Sequence, residues 1–173
     1  MRHLRTVRRN SRRFVRSLRL PPVKSVRDLL PTVEKRSGHP IRIVPSPVDN
    51  AGGVCGLWIR TAEGVDYIFV DEKTSRAHQD HIIAHELAHI LCDHGGVAAS
   101  LRPRLVSDPV APSLDPEVVR MMLGRTDYAS HDEKEAELVG TYLQRHVHCP
   151  RLRFQQHDRV AETLLLRSTE SQV

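Results

Sequence analysis

The 173-residue sequence has few aromatic residues, few cysteines and no long apolar run. Aromatic residues make up only 4% of the chain, so we expect an aliphatic core. Cys55, Cys92 and Cys149 lie far apart without Cys-x-x-Cys spacing, which argues against a disulfide framework and favours a reducing cytoplasm. No stretch approaches the ~18 apolar residues that span a bilayer. No apolar segment near Met1 indicates a secretory signal, so no membrane association is expected.

Acidic residues are absent from the first 24 positions, which hold eight arginines and Lys24. This segment carries a charge of +9, so the total of +5 leaves −4 for the rest of the chain. Its apolar and small residues recur at helical spacing: Leu4, Val7, Ser11, Phe14 and Leu18. Three interpretations follow: an amphipathic helix docked on the domain, a basic arm for nucleic acid or acidic surfaces, and an organellar targeting peptide. Residues 1–20 contain no nucleic-acid motif and one aromatic, so base stacking is not supported.

Proline, glycine and serine divide the remaining chain into short elements. A helix is predicted from about 26 to 36, started by Ser25 and shortened or kinked by Pro31. Strands are predicted at 41–44, 56–61 and 65–70, the last two forming a hairpin. A long helix follows, for which Thr74 and Ser75 offer N-cap hydroxyls and which ends at Gly95-Gly96. Beyond it we expect a surface loop at 95–114 and helices at 115–123, 132–146 and 160–166. This order predicts an α+β domain at 25–148, between a basic segment at 1–24 and a tail at 149–173.

The long helix contains His85-Glu86-x-x-His89, the spacing of a helical zinc hydrolase. Residues four apart lie one above the other on a helix, so both imidazoles can bind one ion from the same face. Glu86 is rotated by about 100° from His85, which places its carboxylate beside the metal as a base rather than a ligand. Zinc lowers the pKa of its bound water to about 7, so a nucleophile exists at neutral pH. The alternative is a chance match in which the histidines are solvated or line the core.

A catalytic zinc usually has three protein ligands, and the motif supplies two. The metzincin pattern would place Gly at 92 and His at 95, but Cys92 and Gly95 stand there, so that class is excluded. His94 falls one position short and is interpreted as a polar helix end, and Cys92 as a packing residue. The best remaining source is a carboxylate from the acid-rich stretch of the later helix: Asp132, Glu133, Glu135 and Glu137.

These two stretches together resemble the ImmA/IrrE family of bacterial metallopeptidase-like proteins. The resemblance rests on His85-Glu86-Leu87-Ala88-His89 and on Glu133-Lys134-Glu135-Ala136-Glu137, and it covers about residues 25–148. Gly56-Leu57-Trp58 and Gly124-Arg125-Thr126-x-Tyr128 look like the actinobacterial branch. The resemblance implies a zincin-like domain, with the small sheet packed on the motif helix and Zn²⁺ as cofactor. It also implies that His85, His89 and Glu135 are the zinc ligands and Glu86 the general base, with Glu133 as the alternative third ligand.

The same resemblance implies a biological setting. Relatives act as intracellular proteases that cleave a helix-turn-helix repressor, and others belong to toxin–antitoxin-like pairs. A zinc endopeptidase that cleaves a partner transcriptional regulator is therefore the expected function. Two other functions stay open: a metal-stabilised regulator that binds a transcription factor without cutting it, and a nucleic-acid-binding protein that uses residues 1–20.

Overall fold

Four helices and three strands make up the part of the chain that the computed structural model describes, residues 2–46, 56–61, 63–94 and 130–148. They are α1 (Arg2–Ser17), α2 (Leu30–Ser37), β1 (Ile41–Pro45), β2 (Gly56–Arg60), β3 (Asp66–Val70), α3 (Arg76–Cys92) and α4 (Ser130–His148). The α+β class is confirmed. The predicted loop at 95–114, the helices at 115–123 and 160–166 and the tail at 149–173 lie outside the described residues.

The sheet is mixed and has the order β1-β3-β2. β3 pairs with β2 in antiparallel fashion, with Trp58 opposite Ile68, so the predicted hairpin is confirmed. β1 pairs with the other edge of β3 in parallel, with Ile43 opposite Ile68. The central strand is therefore β3, and most of its residues are buried. Gly64 lies in the hairpin connection with φ +78°, a backbone conformation that glycine adopts without steric cost.

The start of α2 follows the prediction with one change. Asp28 accepts hydrogen bonds from the backbone amides of Lys24 and Ser25, and the Ser25 hydroxyl accepts one from the amide of Asp28. A 3-10 turn over Arg27–Leu29 comes first, and the α-helix begins at Leu30 with Pro31 in its first turn. Proline is tolerated there because its missing N–H would have no partner within the helix.

The helix that carries the histidine motif is buried on nearly all sides. α3 lies between the sheet and α4, and α2 contacts it as well. Its central residues, from Ile82 to Ile90, are almost all buried. They share one hydrophobic core with residues of the sheet, of α2 and of α4: Val33, Trp58, Ile68, Ala136, Val139, Leu143 and Val147. This burial explains why the apolar residues of α3 do not form a single face, since neighbours cover it from several directions.

The arginine-rich segment forms a helix that docks on the domain. α1 packs against α4. Val7, Ser11 and Val15 of α1 and Leu18 directly after it are buried, whereas the described arginines of α1 are exposed. The Tyr142 hydroxyl lies 3.5 Å from the carbonyl oxygen of Arg8. Of the three interpretations of this segment, the docked amphipathic helix is the one that the structure shows. Because Val15 and Leu18 belong to the same core as α3 and α4, the described part of this segment, residues 2–24, is not a detached arm.

A buried carboxylate joins the two strands of the hairpin. Asp66 is fully buried and accepts hydrogen bonds from Trp58 Nε1 at 2.9 Å and from Arg60 Nε at 2.8 Å and the Arg60 guanidinium again at 3.0 Å. The Arg60 guanidinium also lies 5.2 Å from the centre of the Trp58 ring. The nearby Asp66 carboxylate raises the pKa of Arg60 further above its usual value. The paired charges and hydrogen bonds offset the cost of removing Asp66 from water.

The two ends of α3 differ in how well the sequence predicts them. Ser75 is the N-cap, and its hydroxyl accepts a hydrogen bond from the amide of His78. The predicted end at Gly95-Gly96 is wrong, because the helix ends at Cys92 and Asp93 takes the left-handed conformation, with φ 54°. Within the described ranges, no helix is both long enough and apolar enough to span a bilayer.

Candidate metal centre

The motif histidines meet at the surface of α3 that faces α4. The four-residue spacing brings His85 Nε2 within 3.0 Å of His89 Nε2. The side chain of His89 is 0% exposed, and that of His85 is 21% exposed. The two Nε2 atoms converge in a largely buried position. They can supply two of the three protein ligands that a catalytic zinc usually has.

Glu133 supplies the third converging atom. It lies in the first part of α4, and its two carboxylate oxygens lie 3.4 Å from His85 Nε2 and 3.4 Å from His89 Nε2. The ligand atoms of His85, His89 and Glu133 all lie within 4.8 Å of one another, and this is the one such group found among the described residues. Two imidazoles and a carboxylate are the ligand set of a His₂Glu site, so the arrangement could hold a metal ion.

The structure does not bring Glu135, the third ligand that the resemblance implies, into this group, and Glu133, the alternative, lies there instead. Residues two apart on a helix point about 200° away from each other, so Glu133 and Glu135 cannot face the same ion. Glu135 Oε2 instead lies 3.6 Å from His94 Nε2. Glu137 is four residues from Glu133 and lies on its side of α4, where Oε2 is 3.7 Å from His85 Nδ1. Asp132 lies beside His131.

His94 has a position that the sequence does not predict. The expected polar helix end is instead a side chain that is 7% exposed, and its Nδ1 lies 3.1 Å from His89 Nδ1. The turn at Asp93 folds the chain back and places His94 against His89, with the ring centres 5.0 Å apart. Aspartate in a left-handed turn is only a weak signal in a sequence, so the motif does not reveal where His94 lies.

Burial favours the neutral form of both motif histidines. It lowers the pKa of His89 to about 3, with the neighbouring His85 and His94 acting in the same direction. Burial also lowers the pKa of His85, although Glu133 and Glu137 act against this. Neutral imidazole is the form that binds a metal, because its unprotonated nitrogen carries the lone pair. The two histidines are therefore ready to bind at neutral pH.

Glu86 lies on the side of α3 that faces β2. It is 6% exposed, and burial together with the Glu133 carboxylate raises its pKa to about 8. A Cβ built on Gly56, the first residue of β2, would lie 3.0 Å from Glu86 Oε1 and would overlap the Ile82 side chain. Glycine at 56 therefore leaves the space that Glu86 occupies beside the metal-binding group.

Cys92 is not a member of the group. It is partly buried, and burial raises the pKa of its thiol to about 12, with the Glu135 and Asp132 carboxylates adding to the effect. A metal binds the thiolate rather than the thiol. The interpretation of Cys92 as a packing residue agrees with its contact with the hydrophobic core.

Gly140 sets the distance between α3 and α4 at the site. A Cβ at this position would lie 3.1 Å from the Ala84 carbonyl oxygen and 3.2 Å from His85 Cα, both backbone atoms that cannot rotate away. We expect Gly140→Ala to push the helices apart and to weaken divalent-metal binding roughly tenfold, about 1.4 kcal/mol. Overpacking costs about 1–3 kcal/mol, but alanine regains about 1 kcal/mol of helix propensity, so the loss of stability should be small.

Metal affinity by chelator competition and the melting temperature of the metal-free protein check this prediction. Lys134→Ala on the exposed side of α4 is the matched control and should change neither quantity much. Unchanged affinity in Gly140→Ala would mean that the helix spacing does not control the site.

We compared this chain with protein families, curated proteins and solved structures. No protein-family model, no curated protein and no solved structure matches this chain. The ImmA/IrrE resemblance therefore rests on the motifs of the sequence alone.

Proposed function

We propose that the protein is a zinc-dependent endopeptidase that acts on a protein substrate. The observation that carries the proposal is the convergence of His85, His89 and Glu133 beside the buried carboxylate of Glu86. A metal-binding group with an adjacent acid that is not a ligand is the arrangement that activates a water molecule for hydrolysis. The sequence resemblance to the ImmA/IrrE family supports the same proposal.

The geometry of the group fits zinc. Two ligand atoms bound to one tetrahedral zinc at about 2.0–2.1 Å lie about 3.3 Å apart. The observed separations are 3.0 Å between the two Nε2 atoms and 3.4 Å from each of these to Glu133. Two nitrogen ligands and one oxygen ligand are also a set that zinc accepts while a fourth position stays open for water. When bound, zinc lowers the pKa of that water and polarises the scissile carbonyl.

Glu86 is the proposed general base. It takes a proton from the attacking water as the oxygen bonds to the scissile carbon, and it passes that proton to the amine nitrogen as the C–N bond breaks. In the metal-free protein the raised pKa of about 8 keeps much of Glu86 protonated at neutral pH. To act as a base it has to be ionised, and a nearby cation favours the ionised form.

The proposed substrate is a helix-turn-helix repressor in the cytoplasm, within a stress or toxin–antitoxin-like system. This part of the proposal depends on the family resemblance. The alternative is a metal-stabilised regulator that binds its partner without cutting it. Both functions need the metal, so only turnover separates them.

The test covers every protein of the cell at once, so the substrate need not be identified beforehand. Cells that express wild-type protein or Glu86→Gln are compared by sequencing all protein amino termini, and zinc is measured in both purified proteins. We expect one zinc in each protein and new amino termini only with wild type. Zinc without new termini would favour the non-catalytic regulator, and wild-type protein without zinc would contradict the metal site.

A second proposed function is nucleic-acid binding by α1. The observation that favours it is the set of exposed arginines on α1: Arg5, Arg8, Arg9, Arg12, Arg13 and Arg16. A helix that is fixed on α4 presents these positive charges on a stable surface, and phosphate groups are their natural partners.

We expect binding of duplex DNA or RNA that weakens steeply as salt rises. Replacing Arg5, Arg8, Arg9 and Arg13 with glutamine should reduce the slope of log affinity against log salt by up to about 3.6, because each phosphate contact contributes about 0.9. Deleting the helix would remove core residues, so substitution is the better test. Glutamine at four other exposed basic positions is the matched control: Lys24, Lys35, Arg36 and Arg42. Equal losses in both variants would contradict a site on α1.

A further inference from the structure

A tight turn after α3 brings His94 beneath the motif histidine. Asp93 has φ 54° and ψ 38°, and the amide of His94 donates a hydrogen bond to the carbonyl oxygen of His89 at 3.1 Å. A left-handed residue after the last helical turn reverses the chain in this way. The His94 side chain is held at 7% exposure between His89 and α4.

A line of polar atoms runs from the metal-binding group through both histidines to α4. His89 Nε2 faces His85 and Glu133, and its other ring nitrogen lies 3.1 Å from His94 Nδ1. The remaining ring nitrogen of His94, Nε2, lies 3.6 Å from Glu135 Oε2. The separation of His94 Nε2 and Glu135 Oε2 is short enough for an ion pair but too long for a direct hydrogen bond.

The positions of the protons along this line follow from the chemistry of imidazole. A metal bound through His89 Nε2 takes the lone pair of that atom, so the neutral ring carries its proton on Nδ1. That N–H can donate to His94 Nδ1 only if His94 carries its own proton on Nε2. Glu135 lies beside Nε2, and its negative charge favours a proton there.

We propose that His94 and Glu135 are positioning residues that orient His89 and fix its tautomer for metal binding, with neither side chain touching the metal. This inference rests on the proposed metal site and assigns Glu135 a task other than ligation. A metal-bound histidine commonly donates its second N–H to a neighbouring acceptor, which sets the ring orientation and raises its basicity as a ligand. Here the acceptor is a second imidazole, backed by a carboxylate.

His85 has a weaker contact of the same kind. Its Nδ1 lies 3.7 Å from Glu137 Oε2, and the Glu137 side chain is 54% exposed, whereas that of His94 is 7% exposed. An exposed carboxylate interacts mainly through water and salt, so its effect is screened. The chain therefore orients the fully buried histidine, His89, more firmly than the partly buried one, His85.

The experiment measures zinc affinity by chelator competition in the full-length protein. His94→Asn keeps an oxygen close to the position of Nδ1 and can still accept from His89, but it loses volume. His94→Phe keeps the volume and accepts no hydrogen bond. Glu135→Gln and Glu137→Gln compare the two carboxylates at sites that are 30% and 54% exposed, where substitution should not impair folding. The melting temperature of each metal-free variant reports on folding separately.

We expect His94→Phe to bind zinc about 10- to 100-fold more weakly than wild type, with His94→Asn between the two. Glu135→Gln should weaken binding more than Glu137→Gln. A purely structural role for His94 would reverse the first order, because phenylalanine fills the space better than asparagine. Zinc binding by His94→Phe that equals wild type, or exceeds that of His94→Asn, would overturn the inference and leave the metal site standing. A wild-type protein that binds no zinc would overturn both together.

Discussion

Glu133→Ala is expected to lose its zinc, whereas Glu135→Ala keeps one zinc per chain. The first variant leaves two imidazoles without the carboxylate that lies 3.4 Å from each of them. Two neutral ligands hold zinc far less firmly than a set with an anionic third member, and we expect a loss of at least about 1,000-fold, about 4 kcal/mol. Metal analysis after dialysis against a weak chelator checks the stoichiometry.

The pair is well matched because the same side chain is removed two positions apart on one helix. Glu135→Ala weakens zinc binding only through His94, and far less than loss of Glu133 does, so this variant should keep its zinc against a weak chelator. Loss of zinc in Glu135→Ala with retention in Glu133→Ala would restore the ligand that the sequence resemblance implied. Retention in both variants would mean that another group completes the site.

The sequence predicts the helices and strands that form this site better than it predicts which of their faces pack against each other. The N-cap Ser75 and the His-Glu-x-x-His spacing define the start and the metal-binding side of α3, and short apolar runs between turns define β2 and β3. These are local signals, since each depends on residues within one or two turns. The parallel pairing of β1 with β3 is a long-range contact that no local pattern encodes.

The proposed third ligand is also determined by long-range packing rather than by a local pattern. The acid-rich stretch of α4 contains carboxylates on several sides of one helix, and only the rotation of α4 against α3 decides which side meets the histidines. Gly140 allows α4 to pack closely against the backbone of Ala84 and His85 on this side. The motif indicates which helix carries the carboxylates, but the packing of the two helices decides that Glu133 faces the histidines and that Glu135 does not.

Glu86→Gln is expected to abolish peptide cleavage while the protein keeps its zinc. The substitution preserves the shape of the side chain but removes the group that accepts a proton, and general acid–base catalysis is worth about 10²- to 10⁴-fold in rate. Zinc content and the yield of new amino termini are measured on the same preparation. Loss of zinc in this variant would show that Glu86 supports the site structurally or as a ligand.

The metal-free protein gives an independent measure of Glu86. Its folded-state pKa is raised from 4.5 to about 8, so between these values the folded protein binds more protons than the unfolded chain. The stability contributed by protonated Glu86 is complete below pH 4.5 and is lost as the pH rises through about 8. Glutamine does not ionise, so the variant should become more stable than wild type as the pH rises through this window.

Thermal unfolding of both metal-free proteins at about pH 5 and about pH 9 tests whether Glu86→Gln gains stability relative to wild type as the pH rises. Both proteins share all other titrating groups, so the difference between them at each pH removes the contribution of those groups. A constant difference across the window would mean that Glu86 is not held in a buried position in the metal-free protein. If the difference in stability grows with pH, and the variant keeps its zinc but loses turnover, burial disfavours the ionised form of Glu86 in the metal-free protein. A bound cation would then shift Glu86 towards that ionised form. Glu86 would then act as a base only in the metal-loaded protein, which is where the reaction needs it.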